Sequence, residues 1–232
     1  RDVEVHRRNR WDFSGGDALV ARAKQCGLQI YAGLGSTPAW ASSNGSYNGV
    51  PTSTDEWTLF VQTVVNRYKN DIKAWGIWNE PNLAQFWVGT TDDYINVLLI
   101  PAAKAIKAVD SNMIVGGPEL AMLTSSATID PLVFLKRLKQ TGADQYLDVI
   151  THHAYGADAS AFQTKVTGIA VAGIIIKNGI QVNLQAAGLW GRPFWLTEFG
   201  WQVAGSTEAA QATNMGQGLD FIKSQSWIQK SF

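Results

Sequence analysis

The chain has 232 residues, and 46% of them are hydrophobic, so it can bury one sizeable core and is not a disordered chain. Its 19 basic residues equal its 19 acidic residues, which leaves no basic field to attract nucleic acid or an anionic membrane surface. A neutral substrate or a protein partner fits this charge balance better. The ten tryptophans favour flat apolar surfaces of the kind that sugar rings stack on, with core packing as the commoner alternative for any single one.

Short apolar runs alternate with longer segments of helical period along the chain, and this alternation predicts a parallel sheet wrapped by helices. Predicted strands cover residues 2–6, 28–35, 72–79, 113–119, 147–156 and 193–199, with the start of another at 226–232. Predicted helices cover residues 13–27, 53–70, 90–110, 130–142, 159–188 and 207–224. The third of these helices should bend at Pro101.

Two features of the chain bear on its cellular location. Cys26 is the single cysteine, so an intrachain disulfide is excluded and the redox compartment stays open. The opening RDVEVHRRNR contains no signal-like apolar stretch, and no apolar run has the length of a membrane span. The most apolar run, residues 168–180, is interrupted by Gly and Lys and predicts a buried helix. Secretion and a cytoplasmic location both remain open.

Strand–helix units of roughly 35 to 45 residues are typical of an α/β fold of the (β/α)8 TIM-barrel type. A doubly wound open sheet is the alternative, but it normally carries a Gly-rich phosphate turn that GLGSTP at 33–38 matches poorly. Without linkers or composition shifts, residues 1–232 are expected to form one domain. The pattern supplies about six and a half of the eight strands. It therefore predicts an incomplete barrel whose open edge is covered by self-association of the chain.

Four predicted strands end in polar or ionisable side chains, within the segments GIWNEPN, VGGPE, THHAY and LTEFGW. The carboxyl ends of parallel barrel strands open onto one rim, so Glu80 and Glu198, three strand–helix units apart, are expected to face each other. Two facing carboxyl groups are what glycosidic bond cleavage requires, because one must be protonated while the other is ionised.

The segments WNEPN, HHAY and WLTEFGW, in that order, together with GLQIYAGLGSTPAWAS, resemble the clan A glycoside hydrolases and are most similar to families 39 and 5. The resemblance covers nearly the whole chain. It implies a (β/α)8 barrel and a retaining hydrolase that cleaves β-linked glycans by double displacement, with a carbohydrate as partner and no cofactor or metal. A catalytically weak sugar-binding fragment that self-associates is the alternative from another functional class.

The resemblance also implies roles for five residues. Glu80 would be the acid/base after the fourth barrel strand, and Glu198 the nucleophile after the seventh. Asn79 would bind the sugar 2-hydroxyl. His153 and Tyr155 alternate along the sixth strand, so their side chains point the same way, and they would hold the nucleophile and sugar hydroxyls.

Three further residues are weaker candidates. Glu119 lies on the same rim and either contacts sugar or forms a loop salt bridge. Arg1 best fits the arginine that clan A enzymes usually carry on the second strand. His152 adjoins His153 but points to the opposite face, which predicts a buried histidine. A metal-dependent hydrolase is poorly supported, because a chain with three histidines and no H-x-H pattern lacks the ligands for a hydrolytic zinc centre.

Several tryptophans are candidates for stacking against sugar. Trp40, Trp87 and Trp201 follow strand ends, where a ring can face the substrate. Trp78 and Trp195 lie inside predicted strands, which favours packing instead.

Overall fold

A computed structural model describes residues 4–7, 10–123 and 128–232 of the chain. Its strands are β1 (Glu4–Arg7), β2 (Arg10–Asp12), β3 (Tyr31–Leu34), β4 (Ala74–Ile77), β5 (Ile114–Ala121), β6 (Val149–Tyr155), β7 (Ile169–Val171), β8 (Ile174–Lys177), β9 (Phe194–Gly200) and β10 (Lys230–Ser231). Its helices are α1 (Ser14–Gln25), α2 (Thr54–Tyr68), α3 (Thr91–Asp93), α4 (Ile100–Val109), α5 (Pro131–Gln140), α6 (Ala159–Thr167), α7 (Ile180–Ala186) and α8 (Glu208–Ser224).

The main sheet has six parallel strands in the order β10-β9-β6-β5-β4-β3. This order follows the chain without reversal, whereas a doubly wound sheet reverses direction at a switch point, so the doubly wound alternative is wrong. The sheet also curls, because Tyr31 on β3 lies 5.5 Å from the ring of Trp195 and 5.4 Å from that of Phe232 beyond β10. The six strands therefore form part of a barrel wall and match the six predicted from 28–35 onward.

The wall is built from sequences that suit burial on both faces. All four residues of β4 are buried, as expected for a parallel strand between a barrel interior and an outer helix layer. The helix α2 begins after Ser53, whose side chain accepts a hydrogen bond from the backbone of Glu56, and it packs Val61 and Val65 into the core. These elements place the core between the sheet and the helices.

The predicted helix at 90–110 forms and contains an irregularity near Pro101. Residues Tyr94–Leu99 are π-helical and join α3 to α4, and Pro101 lies in the first turn of α4. Because proline has no backbone N–H, the regular hydrogen-bond ladder cannot continue through it. Within the described ranges, no helix combines the length and apolar character needed to cross a membrane.

The predicted strand at 2–6 is wrong as a barrel strand. The strand β1 pairs with β2 in a separate antiparallel hairpin and not with the main sheet. The sequence explains this, because VEVH alternates apolar and charged residues, whereas parallel barrel strands are apolar on both faces. The self-association expected from an open barrel stays a prediction, which light scattering can test.

The predicted buried helix over 159–188 is wrong in its middle third. After α6, the strands β7 and β8 form an antiparallel hairpin, and α7 follows. Ala172 and Gly173 have φ values of 49° and 80°, the left-handed pair that a tight hairpin turn requires. The surrounding residues are mostly β-branched and favour strand, and the hairpin exposes Ile169, Val171, Ile174 and Ile176.

Candidate active site

A cavity of about 420 Å³ opens at the carboxyl ends of the parallel strands. This is the size range of small-molecule sites, and it is the face on which barrel enzymes carry their chemistry. Its lining combines aromatic rings with ionisable groups: Tyr31, Gly33, Leu34, Gly35, Ser36, Tyr47, Trp78, Asn79, Phe86, Glu119, His153, Thr197 and Glu198.

Glu80 reaches this face through an unusual turn after β4. Trp78 and Glu80 have φ values of 70° and 44°, a conformation that costs a non-glycine residue free energy and is common at functional sites. The turn is held because the backbone N–H of Glu80 donates to the carbonyl of Glu119 at 3.0 Å. The buried side chain of Asn82 also exchanges two hydrogen bonds of 3.0 Å with the backbone of Ala121. The loop that carries Glu80 is thus tied to the end of β5.

His153 lies buried at the centre of three carboxyl groups. Its Nδ1 is 2.9 Å from Glu80 Oε1 and 3.5 Å from Glu198 Oε2, and its Nε2 is 3.3 Å from Glu119 Oε2. Burial lowers the pKa of His153, but hydrogen bonds to Glu119 and Glu80 and the negative charges of Glu119 and Glu198 outweigh it and raise the pKa to about 9. At neutral pH the ring is therefore protonated, and both nitrogens are donors.

Glu198 stands on β9 opposite Glu80 and is the most accessible of the three carboxyl groups, with 42% of its side chain exposed. The hydroxyl of Tyr155 donates to Glu198 Oε2 at 2.9 Å. Partial burial, the hydrogen bond to Glu198 and the charges of Glu198 and Glu80 raise the pKa of Tyr155, so the phenol stays a neutral donor. The predicted contact between Tyr155 and Glu198 is therefore present.

The gap between the two predicted catalytic carboxyl groups is short. One carboxylate oxygen from Glu80, one from Glu198 and one ring nitrogen of His153 all lie within 4.8 Å of one another. Each of these three groups also offers an atom that a metal ion could bind, and binding would release the proton from the His153 nitrogen. The carboxyl groups of Glu80 and Glu198 thus face each other across a short gap.

Glu119 lines the cavity, and its predicted contact with sugar stays a prediction. It is 4% exposed within β5, and its ion-pair partner among the described residues is the buried His153, so the predicted loop salt bridge is wrong. The hydroxyl of Tyr31 donates to Oε1, while the hydroxyl of Thr197 and Nε2 of His153 approach Oε2. Glu119 thus joins three other strands beneath the cavity.

The structure corrects the prediction that Trp40, Trp87 and Trp201 stack against sugar. Trp87 is 2% exposed and its indole N–H donates to the carbonyl of Thr90, so it has no free face for a sugar. Trp201 is 9% exposed and packs against Phe162. Trp40 is exposed in the short helix Ala39–Ala41 but does not line the cavity.

The structure also gives the surroundings of the remaining candidate residues. Asn79 is exposed and lines the cavity, as predicted. His152 is fully buried, and burial lowers its pKa to about 3, which confirms the prediction of a buried histidine. Trp78 is buried as predicted and also borders the cavity. The position predicted for Arg1 lies outside the described residues.

Sequence reasoning missed Tyr31, Thr197, Tyr47 and Phe86, which line the cavity. Thr197 directly precedes Glu198 within the segment WLTEFGW, so its place beside a strand-end carboxylate could have identified it. Tyr31 lies at the start of the predicted strand at 28–35. Its hydroxyl reaches Glu119 because Gly76 and Gly116 have no Cβ, which would lie 2.6 Å and 2.3 Å from that hydroxyl.

Comparison with known proteins identifies the family of the chain. Residues 42–181 match the family model described as glycosyl hydrolases family 39, and this range includes Asn79, Glu80, Glu119, His153 and Tyr155. A β-xylosidase of Caldicellulosiruptor saccharolyticus is 37% identical over 124 residues, which are 49% of this chain and 23% of that protein.

Solved structures show the same fold. A family 39 β-xylosidase from Caulobacter crescentus superposes with a TM-score of 0.68 at 20% identity, over 98% of this chain and 51% of that one. A glucosidase from Croceicoccus marinus gives a TM-score of 0.70 at 19% identity, over 95% of this chain and 44% of that one. The chain thus spans about half the length of these structures and about a quarter of the curated relative. With the family model covering more than half of its residues, the chain belongs to glycosyl hydrolase family 39, within clan A.

Proposed function

We propose that this chain carries the catalytic residues of a retaining glycoside hydrolase, with Glu198 as nucleophile and Glu80 as acid/base. The observation that carries the proposal is the short distance across the rim, with facing oxygens of the two glutamates within 4.8 Å. Retaining enzymes have carboxyl groups about 5 to 5.5 Å apart, whereas inverting enzymes need about 6.5 to 9.5 Å to fit a water molecule between them. The geometry supports double displacement.

The proposed reaction has two steps. Glu198 attacks the anomeric carbon and forms a glycosyl ester, while Glu80 gives its proton to the departing glycosidic oxygen. Glu80 then removes a proton from water, and the resulting hydroxide cleaves the ester and restores the Glu198 carboxylate. The hydroxyl of Tyr155 steadies Glu198 before attack, and the His153 N–H stabilises the Glu80 carboxylate that the first step creates.

The substrate class follows from the relatives and from the charge of the chain. The chain carries no net charge, and the relative that is 37% identical is a β-xylosidase, so we propose neutral β-xylosides as substrates. Asn79 is exposed beside Glu80 in the cavity wall, where it can donate to the sugar 2-hydroxyl. The aromatic rings of Tyr47 and Phe86 offer apolar faces to the sugar.

An aryl-glycoside panel tests the proposal. We expect turnover of aryl β-xylosides above that of the matching β-glucosides and β-mannosides. Glu198→Gln should abolish turnover while sugar binding persists. Glu80→Ala should lower turnover about 10²- to 10⁴-fold for substrates with a poor leaving group. The loss should be much smaller with dinitrophenolate, which leaves without a proton. Glu208→Gln, at an exposed position of α8, is the matched control.

Each result bears on a different part of the proposal. Unchanged turnover in Glu198→Gln would refute the nucleophile assignment, and an α-configured first product would refute retention. Sugar binding by the wild type without turnover of any glycoside would favour the alternative of a silent sugar-binding fragment. Loss of activity on adding a chelator would favour the metal-dependent alternative.

A further inference from the structure

Glu119 is a buried carboxyl group that the proposed double displacement does not use. It is 4% exposed, and in the described part of the chain its salt-bridge partner is His153, with no lysine or arginine within 4 Å. An ionised carboxylate at such a position needs a paired positive charge, because burial without one is strongly unfavourable. The cation available to it is the His153 ring.

Three hydrogen-bond donors surround the carboxyl group of Glu119. Tyr31 and Thr197 donate hydroxyl hydrogen bonds to its two oxygens, and His153 approaches the same oxygen as Thr197. Burial and the negative charge of Glu119 raise the pKa of Tyr31 well above its ordinary value, so the Tyr31 phenol keeps its proton and donates a hydrogen bond. Three side chains from three other strands thus fix the position of the Glu119 carboxyl group.

The backbone of Glu119 is also adapted to this position. Its φ is 57°, and the pairing of β5 with β6 shifts register between Gly117 and Leu120, which re-aims the side chain beneath the cavity. Its N–H donates to the hydroxyl of Thr151, and its carbonyl accepts from the N–H of Glu80. Glu119 therefore contacts Glu80 through the main chain and faces His153 through the side chain.

We propose that Glu119 is a positioning residue that holds His153 in its doubly protonated form, so that one ring N–H stays on Glu119 while the other stays on Glu80. The effect of Glu119 on catalysis rests on the proposed function, whereas its effect on the protonation of His153 does not. The groups that face His153 are Glu80 from the loop after β4, Glu119 from β5 and Glu198 from β9. The hydroxyl of Tyr31 donates to Glu119, and the hydroxyl of Tyr155 donates to Glu198.

The distances show what each partner contributes. Nδ1 has two acceptors, at 2.9 Å on Glu80 and 3.5 Å on Glu198, whereas Nε2 has Glu119 alone among the described residues. Without the Glu119 charge, the ring can release the Nε2 proton and rotate or change tautomer, and the donor on Glu80 is no longer fixed. Glu119 thus acts on the reaction through His153.

The direct test is a histidine NMR titration of the wild type, Glu119→Gln and Glu119→Asp, with Glu208→Gln as control. Three histidines in the chain make the imidazole signals simple to assign. In the wild type, His153 should stay protonated above pH 7.5, as its pKa of about 9 implies. In Glu119→Gln the midpoint should fall by about one pH unit or more, the size of effect that a close opposite charge produces. Glu119→Asp should give an intermediate value, and the control should match the wild type.

Kinetics add a second readout, with the folded fraction of each variant first measured by urea unfolding. We expect Glu119→Gln to lower kcat about 10- to 100-fold with KM within about threefold, because the side chain positions a group rather than binding sugar. An unchanged His153 midpoint in Glu119→Gln would overturn the inference, as would Glu119→Asp behaving like Glu119→Gln. If Glu119→Gln does not fold, Glu119→Asp decides: an unchanged His153 midpoint overturns the inference, and a lowered midpoint supports it. A wild type without glycosidase turnover would defeat the proposed function and leave the titration result intact.

Discussion

The two neighbouring histidines of β6 should give the stability of the protein a maximum near pH 6.5. Burial lowers the pKa of His152 to about 3, whereas the carboxyl groups around His153 overcome burial and raise its pKa to about 9. Both residues have an ordinary pKa of about 6.5 when the chain is unfolded. The sign of each contribution follows from which state binds more protons.

The two contributions have opposite signs. For His153 the folded state holds the proton more tightly, so its stabilisation is fully present below pH 6.5 and is lost as the pH rises through about 9. For His152 the unfolded state holds the proton more tightly, so stability is lost as the pH falls from 6.5 towards 3. Each slope approaches about 1.4 kcal/mol per pH unit, and the His153 interval amounts to about 3 kcal/mol.

Urea unfolding followed by tryptophan fluorescence, at pH values from 4 to about 9.5, measures these slopes. His153→Gln should remove the alkaline decline in the free energy of unfolding. His152→Leu should reduce the loss of unfolding free energy on the acid side of the maximum. The substitution leaves few polar groups without a partner, because Nε2 of His152 has no hydrogen-bond partner and the carbonyl of His153, which faces Nδ1, also accepts from the N–H of Met122. Because other carboxyl groups titrate in acid, the difference between variant and wild type is the relevant quantity. An alkaline slope in His153→Gln equal to that of the wild type would refute the reasoning.

Two further substitutions test how the site is held. Asn82→Ala should lower the free energy of unfolding by about 2 to 4 kcal/mol, because it strands the buried N–H and carbonyl of Ala121, and urea denaturation measures the loss. Tyr155→Phe should lower kcat/KM about 10- to 100-fold, because a hydrogen bond to a charged group contributes about 1.5 to 3 kcal/mol. Since Tyr155 is half exposed, the thermal unfolding midpoint of Tyr155→Phe should stay within about 2 °C of that of the wild type. A larger drop would assign Tyr155 a structural role instead.

The barrel wall could be predicted from the sequence because its signals are local and strong. The runs at 72–79 and 113–119 are apolar on both faces, which suits parallel strands, and the polar residues that follow them mark the rim. The same rule predicted that Glu80 and Glu198 would face each other. No measurement of distance was needed for that step, since barrel geometry brings strand ends together.

The wrong predictions concern segments whose local sequence pattern fits two structures equally well, so that tertiary contacts decide between them. The apolar run at 168–180 suits a buried helix or a hairpin equally well by composition, and the turn at Ala172 and Gly173 decided for the hairpin. Trp87 and Trp201 follow strand ends, but their rings turn inward to pack on Trp78 and Phe162. A position after a strand fixes the end of the barrel at which a residue lies, but not the direction of its ring.

The role of Glu119 was out of reach of sequence rules because it depends on a local break in them. Among the described residues, four that are not glycine have positive φ. Two of these, Trp78 and Glu119, line the cavity, and another, Glu80, contacts His153 in its wall. Each such conformation costs about 1 to 3 kcal/mol and persists only where its surroundings enforce it. Here the enforcing contacts are the Glu80 N–H on the Glu119 carbonyl and the two bonds between Asn82 and Ala121. The strained residues therefore lie where the loop after β4 is tied to the end of β5, and β5 in turn pairs with β6, which carries His153. The position of Glu80 relative to His153 thus depends on contacts among the ends of these three strands.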